Sequence, residues 1–398
     1  MDTIISESMM GLGKKSSVIR SIFEYGKARK AQIGAENVFD FSLGNPNVPA
    51  PKSVNDCIRR LLDTMDPIAL HGYTSAPGDM RVRQTMADEL NEKYHTDAAK
   101  GNLIYMTCGA AASLTVSLHA VVCPGDEVIA IAPFFPEYRV FAEKAGAKLV
   151  VVPSRNDNML LDLEAIRAAV TGKTKAIIIN SPNNPSGAIL PASDIRALSE
   201  ILLEAEKKYN HAIFLISDEP YRELVYTGKE LPFAGEWYPD TLICYSFSKT
   251  LSLPGERIGY IAVSSRMENA GDVFAAICGA GRALGFVCAP SLWQYVAAEC
   301  IRDTADLSVY AENRRIFNDE FSRIGYDFIL PDGAFYLFMR SPEPDAYAFC
   351  ERAKKYELLL VPSDDFGMPG FVRIAYCVST DQVKRSIPAF EALFKEYN

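Results

Sequence analysis

A lysine stands where an apolar strand ends, within the segment SFSKTLSLPGERIG that runs from Ser246 to Gly259. An ammonium group is costly to bury unless something neutralises or pairs it, so core packing does not account for Lys249. Ser246 and Ser248 precede it, and Arg257 follows in the same segment. The segment therefore indicates a site at which a lysine amine takes part in chemistry.

Two other strand ends carry residues that packing alone would not select. After the strand NLIYMT comes TCGAAAS, whose small residues open a helix with free backbone N–H groups that can face a phosphate. A tight turn explains these residues equally well. After EVIAIA comes PFFPEY, whose rings can floor a flat ligand, although core packing is the better interpretation when they are taken alone.

An amide and a carboxylate follow two further strands. Asn184, in SPNNPSG after KAIIIN, precedes a proline, and Asn-Pro is a turn signal. Asp218 opens DEPY after AIFLIS, where capping a helix is the simpler role. Together the strand ends offer a phosphate cradle, an aromatic plate, an amide, a carboxylate, a phenol and a lysine. Pyridoxal phosphate, with its ring nitrogen, phenolic oxygen, phosphate and lysine-reactive aldehyde, would use all of them.

The elements that must position these residues alternate between strand and helix patterns from about residue 100. This alternation predicts an α/β fold with a mostly parallel sheet flanked by helices and a ligand site at the carboxyl ends of the strands. Segment 291–323 predicts a long helix, and the strand patterns after it predict a smaller α+β domain. We predict a large cofactor-binding domain over residues 50–290, and an N-terminal arm with the small domain over residues 1–49 and 291–398.

Composition excludes several classes of protein. The 398 residues are 48% hydrophobic and 23% charged, which suits a globular chain with more than one core. The formal net charge of -9 argues against nucleic-acid binding. Nine cysteines without CxxC spacing indicate reduced thiols in the cytoplasm, and four separated histidines predict no metal site. The most apolar stretch is broken by Arg282 and several glycines, so no membrane span is predicted.

Nine motifs carry a family resemblance over nearly the whole chain. They are SLGNP, YTSAPGDMRVR, TCGAAASL, PFFPEY, NSPNNPSG, SDEPY, SFSKTLSLPGERIGY, DGAFY and FVRIAY. In this order and spacing, the chain resembles a fold type I pyridoxal-phosphate-dependent aminotransferase of the class I and II group, which includes aspartate aminotransferase. The resemblance implies transfer of an amino group from an L-amino acid to a 2-oxo acid by a ping-pong mechanism.

The resemblance also implies roles around the cofactor ring. Lys249 binds the cofactor aldehyde covalently and later shuttles the substrate proton, and Asp218 keeps the pyridine nitrogen protonated. Asn184 and Tyr221 hydrogen-bond the phenolic oxygen. Phe135 stacks on the ring face, where many relatives have tyrosine or tryptophan. Lys249, Asp218 and Tyr221 are therefore the expected catalytic residues.

For the phosphate, the resemblance implies a larger set of contacts. These are the backbone near Gly109, Ala110 and Ala111, the hydroxyls of Ser246 and Ser248, the guanidinium of Arg257, and Tyr73 from a neighbouring subunit. Tyr73 thereby implies a homodimer with shared active sites, whereas a surface turn is its simpler structural role.

For the substrate, the resemblance implies that Arg373 pairs with the α-carboxylate while Gly44 and Asn45 line the opposite wall, with Asn184 also on the substrate side. Arg282 is a candidate cation for a distal carboxylate, but a helix-surface or interface position fits it better. Aspartate, alanine and aromatic amino acids therefore stay open as donors.

Two other functions remain open from the sequence. The same scaffold supports carbon–sulfur β-lyases, which release pyruvate and ammonia from a cysteine conjugate without an acceptor. The second is a cofactor-binding regulatory module, but such proteins add a DNA-binding domain for which this chain has neither room nor charge.

Overall fold

The computed structural model describes residues 5–14, 17–155 and 157–397. Parts of the predicted N-terminal arm, residues 1–4 and 15–16, lie outside the described residues. The described residues divide into two compact units. The larger comprises Pro46–Ser308 and Asp332–Ala334, and the smaller comprises the described parts of Met1–Asn45, Val309–Pro331 and Phe335–Asn398.

Strands and helices alternate through most of the described residues. The strands are β1 (Phe39–Asp40), β2 (Ile104–Thr107), β3 (Glu127–Ala132), β4 (Lys148–Pro153), β5 (Thr174–Asn180), β6 (Phe214–Asp218), β7 (Thr241–Ser246), β8 (Gly259–Val263), β9 (Phe328–Ile329), β10 (Tyr336–Arg340), β11 (Leu358–Leu359), β12 (Val361–Pro362) and β13 (Phe371–Ala375). The α-helices are α1 (Glu7–Lys14), α2 (Val18–Ile33), α3 (Lys52–Thr64), α4 (Pro67–His71), α5 (Met80–Tyr94), α6 (Ala110–Val121), α7 (Glu137–Lys144), α8 (Leu163–Ala169), α9 (Ala192–Tyr209), α10 (Phe247–Thr250), α11 (Ala270–Ala283), α12 (Ser291–Glu299), α13 (Ser308–Ile324), α14 (Ala346–Ala353) and α15 (Thr380–Phe394).

The larger unit is built on a seven-stranded sheet with the order β2-β8-β7-β6-β5-β3-β4. Only β8 runs against its neighbours β2 and β7, and the other strand pairs of this sheet are parallel. The central strands are continuous apolar runs such as AIII in β5, which is the pattern of strands covered on both faces. The prediction of a mostly parallel sheet flanked by helices is confirmed.

The core of the larger unit lies on both faces of this sheet. Along β5, Ala176 and Ile178 join the cluster formed with α6 and α11, whereas Ile177 and Ile179 join the cluster formed with α8 and α9. This alternation follows from the two-residue period of side chains along a strand. Because both faces are covered by apolar side chains, polar groups concentrate at the ends of the strands.

The long helix predicted over residues 291–323 is wrong, because the chain forms α12 and α13 with residues 300–307 between them. In that interval the Ala305 N–H donates to the Thr250 carbonyl at 2.7 Å, a bond that helical geometry would not allow. The Asp306 carboxylate accepts from the Ser308 N–H at 3.0 Å and holds the start of α13. Helix α12 packs against α3 and α5, and residues 291–308 belong to the larger unit.

The smaller unit contains an antiparallel sheet with the order β12-β13-β10-β9 and a two-stranded parallel sheet of β1 and β11. Ile22 of α2 packs with Leu359, Val361 and Phe366 in its core. Within the described ranges of both units, every helix is too short or too polar to cross a membrane.

Candidate active site

The candidate site lies at the carboxyl edge of the seven-stranded sheet. Strands β2, β3, β5, β6 and β7 run in one direction, so the segments that follow them meet at this edge. The antiparallel β8 begins there, which brings Arg257 to the same edge. The predicted cofactor residues other than Tyr73 all lie on these segments.

Asp218, the last residue of β6, is buried, with 4% of its surface exposed. The Tyr138 hydroxyl donates a hydrogen bond to Asp218 Oδ2 at 2.5 Å, and Asp218 Oδ1 is buried without a hydrogen-bond partner among the described residues. Burial raises the pKa of Asp218 from 3.8 to about 7; the Tyr138 bond lowers it and the neighbouring Glu219 raises it. Oδ1 of Asp218 can therefore accept a hydrogen bond from one more donor.

Tyr138 was not among the residues predicted from the sequence. It lies in the first turn of α7, and its ring meets the predicted plate residue Phe135 edge to face at 5.8 Å. Burial, reinforced by the Asp218 charge, raises the pKa of Tyr138, so the phenol keeps its proton and serves as a donor. The available signal was the PFFPEY motif itself, which places a ring with a hydroxyl group one helical turn after Phe135.

The loop that carries Asn184 is tied to the end of β6 through Asn180. The Asn184 N–H donates to Asn180 Oδ1 at 2.7 Å, and Asn180 Nδ2 donates to the Asp218 carbonyl at 2.8 Å. The Asn184–Pro185 bond is cis, and the side chains of Asn184 and Tyr221 are both buried. Asn180 is a second residue that the sequence predictions missed, and its signal was an amide closing the apolar run KAIII.

A cradle for an anion forms where β2 turns into α6. Gly109 is the N-cap residue of α6 with φ 89°, and Ala110 and Ala111 begin the helix, where backbone N–H groups have no intrahelical acceptor. A Cβ at residue 109 would lie 2.9 Å from Nη2 of Arg257. Glycine therefore allows the Arg257 guanidinium to approach the start of α6.

The serines before Lys249 close the end of β7. Ser246 Oγ lies 2.8 Å from Ser248 Oγ and accepts the Ser248 N–H at 3.2 Å, which caps the short helix α10. Lys249 is half-buried on that helix. The structure thus brings Ser246, Ser248 and Lys249 onto one turn, at the sheet edge that also holds Asp218.

Tyr73 and Arg282 lie at the surface of the chain. Tyr73 is 99% exposed in the segment between α4 and α5. Arg282 is exposed at the end of α11. Within the described residues neither side chain forms a hydrogen bond or an ion pair, which suits residues that act on something outside the fold.

The predicted substrate residues Gly44, Asn45 and Arg373 belong to the smaller unit. Arg373 is buried on β13, donates from Nη2 to the Ser42 carbonyl at 2.5 Å, and lies 4.8 Å from the Tyr336 ring and 5.2 Å from the Phe366 ring. A Cβ at Gly44 would collide with the Tyr336 hydroxyl. The two aromatic faces hold the guanidinium in one orientation.

The residues of the larger unit fit pyridoxal phosphate. Asp218 Oδ1 is a buried acceptor suited to a protonated ring nitrogen, and the turn at Gly109 with Arg257 is a cradle suited to a phosphate. Lys249 lies on the same edge with an amine that can bind an aldehyde.

Comparison with known proteins agrees with this fit. The family model described as "Aminotransferase class I and II" matches residues 36–390. A solved amino transferase from Eubacterium rectale is 49% identical, has a TM-score of 0.97 and is matched over 100% of both chains. The aspartate aminotransferase of Thermotoga maritima is 29% identical over 92% of this chain and 93% of its own length. Aromatic-amino-acid aminotransferase 2 of Thermococcus litoralis is 27% identical over 96% of each. The chain therefore belongs to the aminotransferase class I and II family of pyridoxal-phosphate-dependent enzymes and is itself an aminotransferase.

Proposed function

We propose that this aminotransferase binds pyridoxal phosphate at the carboxyl edge of its seven-stranded sheet and moves an amino group from an L-amino acid to a 2-oxo acid in a ping-pong cycle. The observation that carries the proposal is the buried Asp218 carboxylate at the same sheet edge as Lys249, because its Oδ1 lacks a hydrogen-bond partner in the described ranges 5–14, 17–155 and 157–397. When bound, the cofactor supplies an aldehyde that takes up an amine and a ring that draws electrons from the substrate Cα.

Asp218 holds the proton of the ring nitrogen in this proposal. Tyr138 occupies Oδ2, which leaves Oδ1 for the nitrogen. The ionised carboxylate favours the protonated ring, because opposite charges in a buried site stabilise each other. Phe135 supports the ring face, and the side chains of Asn184 and Tyr221 donate to the phenolic oxygen.

The phosphate is held at the start of α6. The backbone N–H groups at Gly109, Ala110 and Ala111 donate to its oxygens, and Arg257 neutralises its charge. Ser246 and Ser248 add hydroxyl donors from the end of β7.

Lys249 is the group that moves the substrate proton. With the cofactor bound, its amine would hold the aldehyde, and once released it would accept the proton from the substrate Cα, a contribution of about 10²–10⁴-fold in rate. Arg373 binds the substrate α-carboxylate, with Gly44 and Asn45 on the wall opposite. We further propose an aspartate aminotransferase-like donor range, supported by relatives named aspartate and aromatic-amino-acid aminotransferase.

The test is Lys249→Ala in the full chain. We expect loss of the absorbance band of lysine-bound cofactor and loss of nearly all transamination, because no other amine takes both roles. Lys173→Ala, an exposed lysine before β5, is the matched control and should keep both. Substantial turnover by Lys249→Ala would refute the proposal.

A spectral screen of the purified protein against single amino acids identifies the donor. An accepted donor should convert the absorbance of the lysine-bound cofactor to that of the amino form, and a 2-oxo acid should reverse it. Release of pyruvate and ammonia from a cysteine conjugate without any acceptor would instead indicate a β-lyase.

The proposal also covers the oligomeric state, the cellular location and the roles of the two predicted domains. The full exposure of Tyr73 supports a homodimer in which Tyr73 completes the phosphate site of the second copy. The nine free cysteines support a cytoplasmic location. We assign cofactor binding to residues 50–290, and substrate binding in part to residues 1–49 and 291–398.

A further inference from the structure

The carboxylate of Glu223, which has no role in the proposed cofactor site, links the segment after Tyr221 to the helix that carries Lys249. Glu223 has a side chain that is 15% exposed, and its Oε2 accepts from Thr250 Oγ1 at 2.7 Å and from the Tyr245 hydroxyl at 2.8 Å. Thr250 directly follows Lys249 in α10, and Tyr245 lies in β7 just before that helix. One carboxylate oxygen therefore holds both ends of the turn that presents Lys249.

The polar groups around Glu223 lie close to one another. The Tyr245 hydroxyl lies 2.8 Å from Thr250 Oγ1, and Lys93 Nζ donates to Glu223 Oε1 at 3.0 Å. Burial by itself would raise the pKa of Glu223, but Arg222, Lys93 and the Thr250 and Tyr245 bonds outweigh it, so the pKa is lowered. The carboxylate stays charged, and charge-assisted hydrogen bonds of this kind are the strong ones.

The side chain of Arg222 also fixes the segment that contains Glu223. Its Nε donates to Glu219 Oε2 at 2.8 Å and its Nη1 to the Tyr260 hydroxyl at 2.9 Å, and its guanidinium lies 4.2 Å from the Tyr245 ring. The side chain is 1% exposed, and a fully buried ion pair is a costly feature that packing by apolar side chains would avoid. Its geometry instead suits a role in holding the segment 219–223 against β7 and β8.

We propose that Glu223 is a positioning residue that sets the place of Lys249 relative to Asp218 and Tyr221 by anchoring α10 through Thr250 and Tyr245. The inference rests on the proposed role of Lys249. Helix α10 has only four residues, and so short a helix is not rigid by itself. Both covalent capture of an aldehyde and transfer of a Cα proton depend on the position of the lysine amine.

The test measures how fast cofactor-free protein captures added pyridoxal phosphate, followed by absorbance, together with kcat and KM for one donor. We expect Glu223→Gln and Thr250→Val to slow capture and lower kcat by about tenfold with KM nearly unchanged, since misplaced reacting groups lose rate rather than affinity. Thr250→Ser keeps the hydroxyl and should retain the parental values. Glu230→Gln, an exposed glutamate further along the same loop, is the matched control.

The inference would be overturned if both Glu223→Gln and Thr250→Val kept the parental rate of capture and the parental kcat. It would also be overturned if the only change in these variants were a lower unfolding temperature. If Glu223→Gln does not fold, the Thr250→Val and Thr250→Ser pair decides, with Tyr245→Phe as a third variant. If the parent protein forms no covalent adduct at Lys249, the proposed function fails; if the parent does so and the variants match it, only the positioning role fails.

Discussion

The two carboxylate oxygens of Asp218 have different roles: one accepts from Tyr138, and the other is proposed to accept from the ring nitrogen of the cofactor. Its Oδ2 is fixed by Tyr138, while its Oδ1 has no hydrogen-bond partner in the part of the chain that the structure describes. Burial raises the pKa of Asp218 from 3.8 to about 7. Without a cationic neighbour the folded protein therefore favours the protonated acid below about pH 7, and a protonated ring nitrogen would shift that balance toward the carboxylate.

The raised pKa predicts a pH dependence of stability in the cofactor-free protein. Between about pH 4 and about pH 7 the folded state holds a proton on Asp218 that the unfolded chain has released. Stability should therefore fall as the pH rises through this window, and Asp218→Asn should flatten that slope. Urea unfolding of cofactor-free protein at several pH values measures it.

Two comparisons make this pH test decisive. Asp240, whose pKa burial also raises to about 7, adds a slope of its own that Asp218→Asn leaves in place. Asp381→Asn, at an exposed position in α15, should keep the full parental slope. An unchanged slope in Asp218→Asn would show that Asp218 is already ionised in the folded protein.

At the scale of elements, the turn from β2 to α6 depends on glycine. Gly109 has φ 89° and ψ 174°, a backbone region that is essentially restricted to glycine. The same residue leaves room for Arg257, so a single glycine determines both the turn and the access of a cation to the helix start.

Gly109→Ala should lower the free energy of unfolding by roughly 1–3 kcal/mol and also weaken the binding of pyridoxal phosphate. The first effect comes from the backbone, and the second from displacement of Arg257 by the new Cβ. Gly125→Ala is the matched control, because Gly125 has φ 95° but open space at the Cβ position. Equal loss of cofactor affinity in both variants would argue against the cradle.

At the scale of the whole molecule, the exposed tyrosine predicts complementation between subunits. Tyr73→Ala and Lys249→Ala should each have little activity, because each lacks one part of every site. A hybrid of the two chains contains one complete site, since Tyr73 from the Lys249→Ala chain serves the intact lysine of the other. Unfolding and refolding the two variants together should restore activity.

The complementation experiment has a direct control. Each variant refolded alone should stay nearly inactive, and analytical ultracentrifugation should show dimers in every sample. Monomeric parent protein, or no recovery in hybrids that do form, would refute a site shared through Tyr73.

Much of the fold could be predicted because strand patterns are local. The composition of the runs KAIIIN and TLICYS alone predicts central strands. Residues such as Asn184 and Lys249 follow within a few positions of the ends of these runs. The break between α12 and α13 was not predictable in this way. It depends on the bond from Ala305 to Thr250, a residue far away along the chain.

The amino-acid sequence alone was enough to establish the succession of strands and helices along the chain, the side chains that follow the strands and, through the ordered motifs, the family. The contact of Tyr138 with Asp218 and the contacts of Glu223 with Thr250 and Tyr245 became known from the folded chain. The physical reason is that periodicity and turn residues act over a few neighbouring positions, whereas these contacts form between side chains that packing brings together from distant segments.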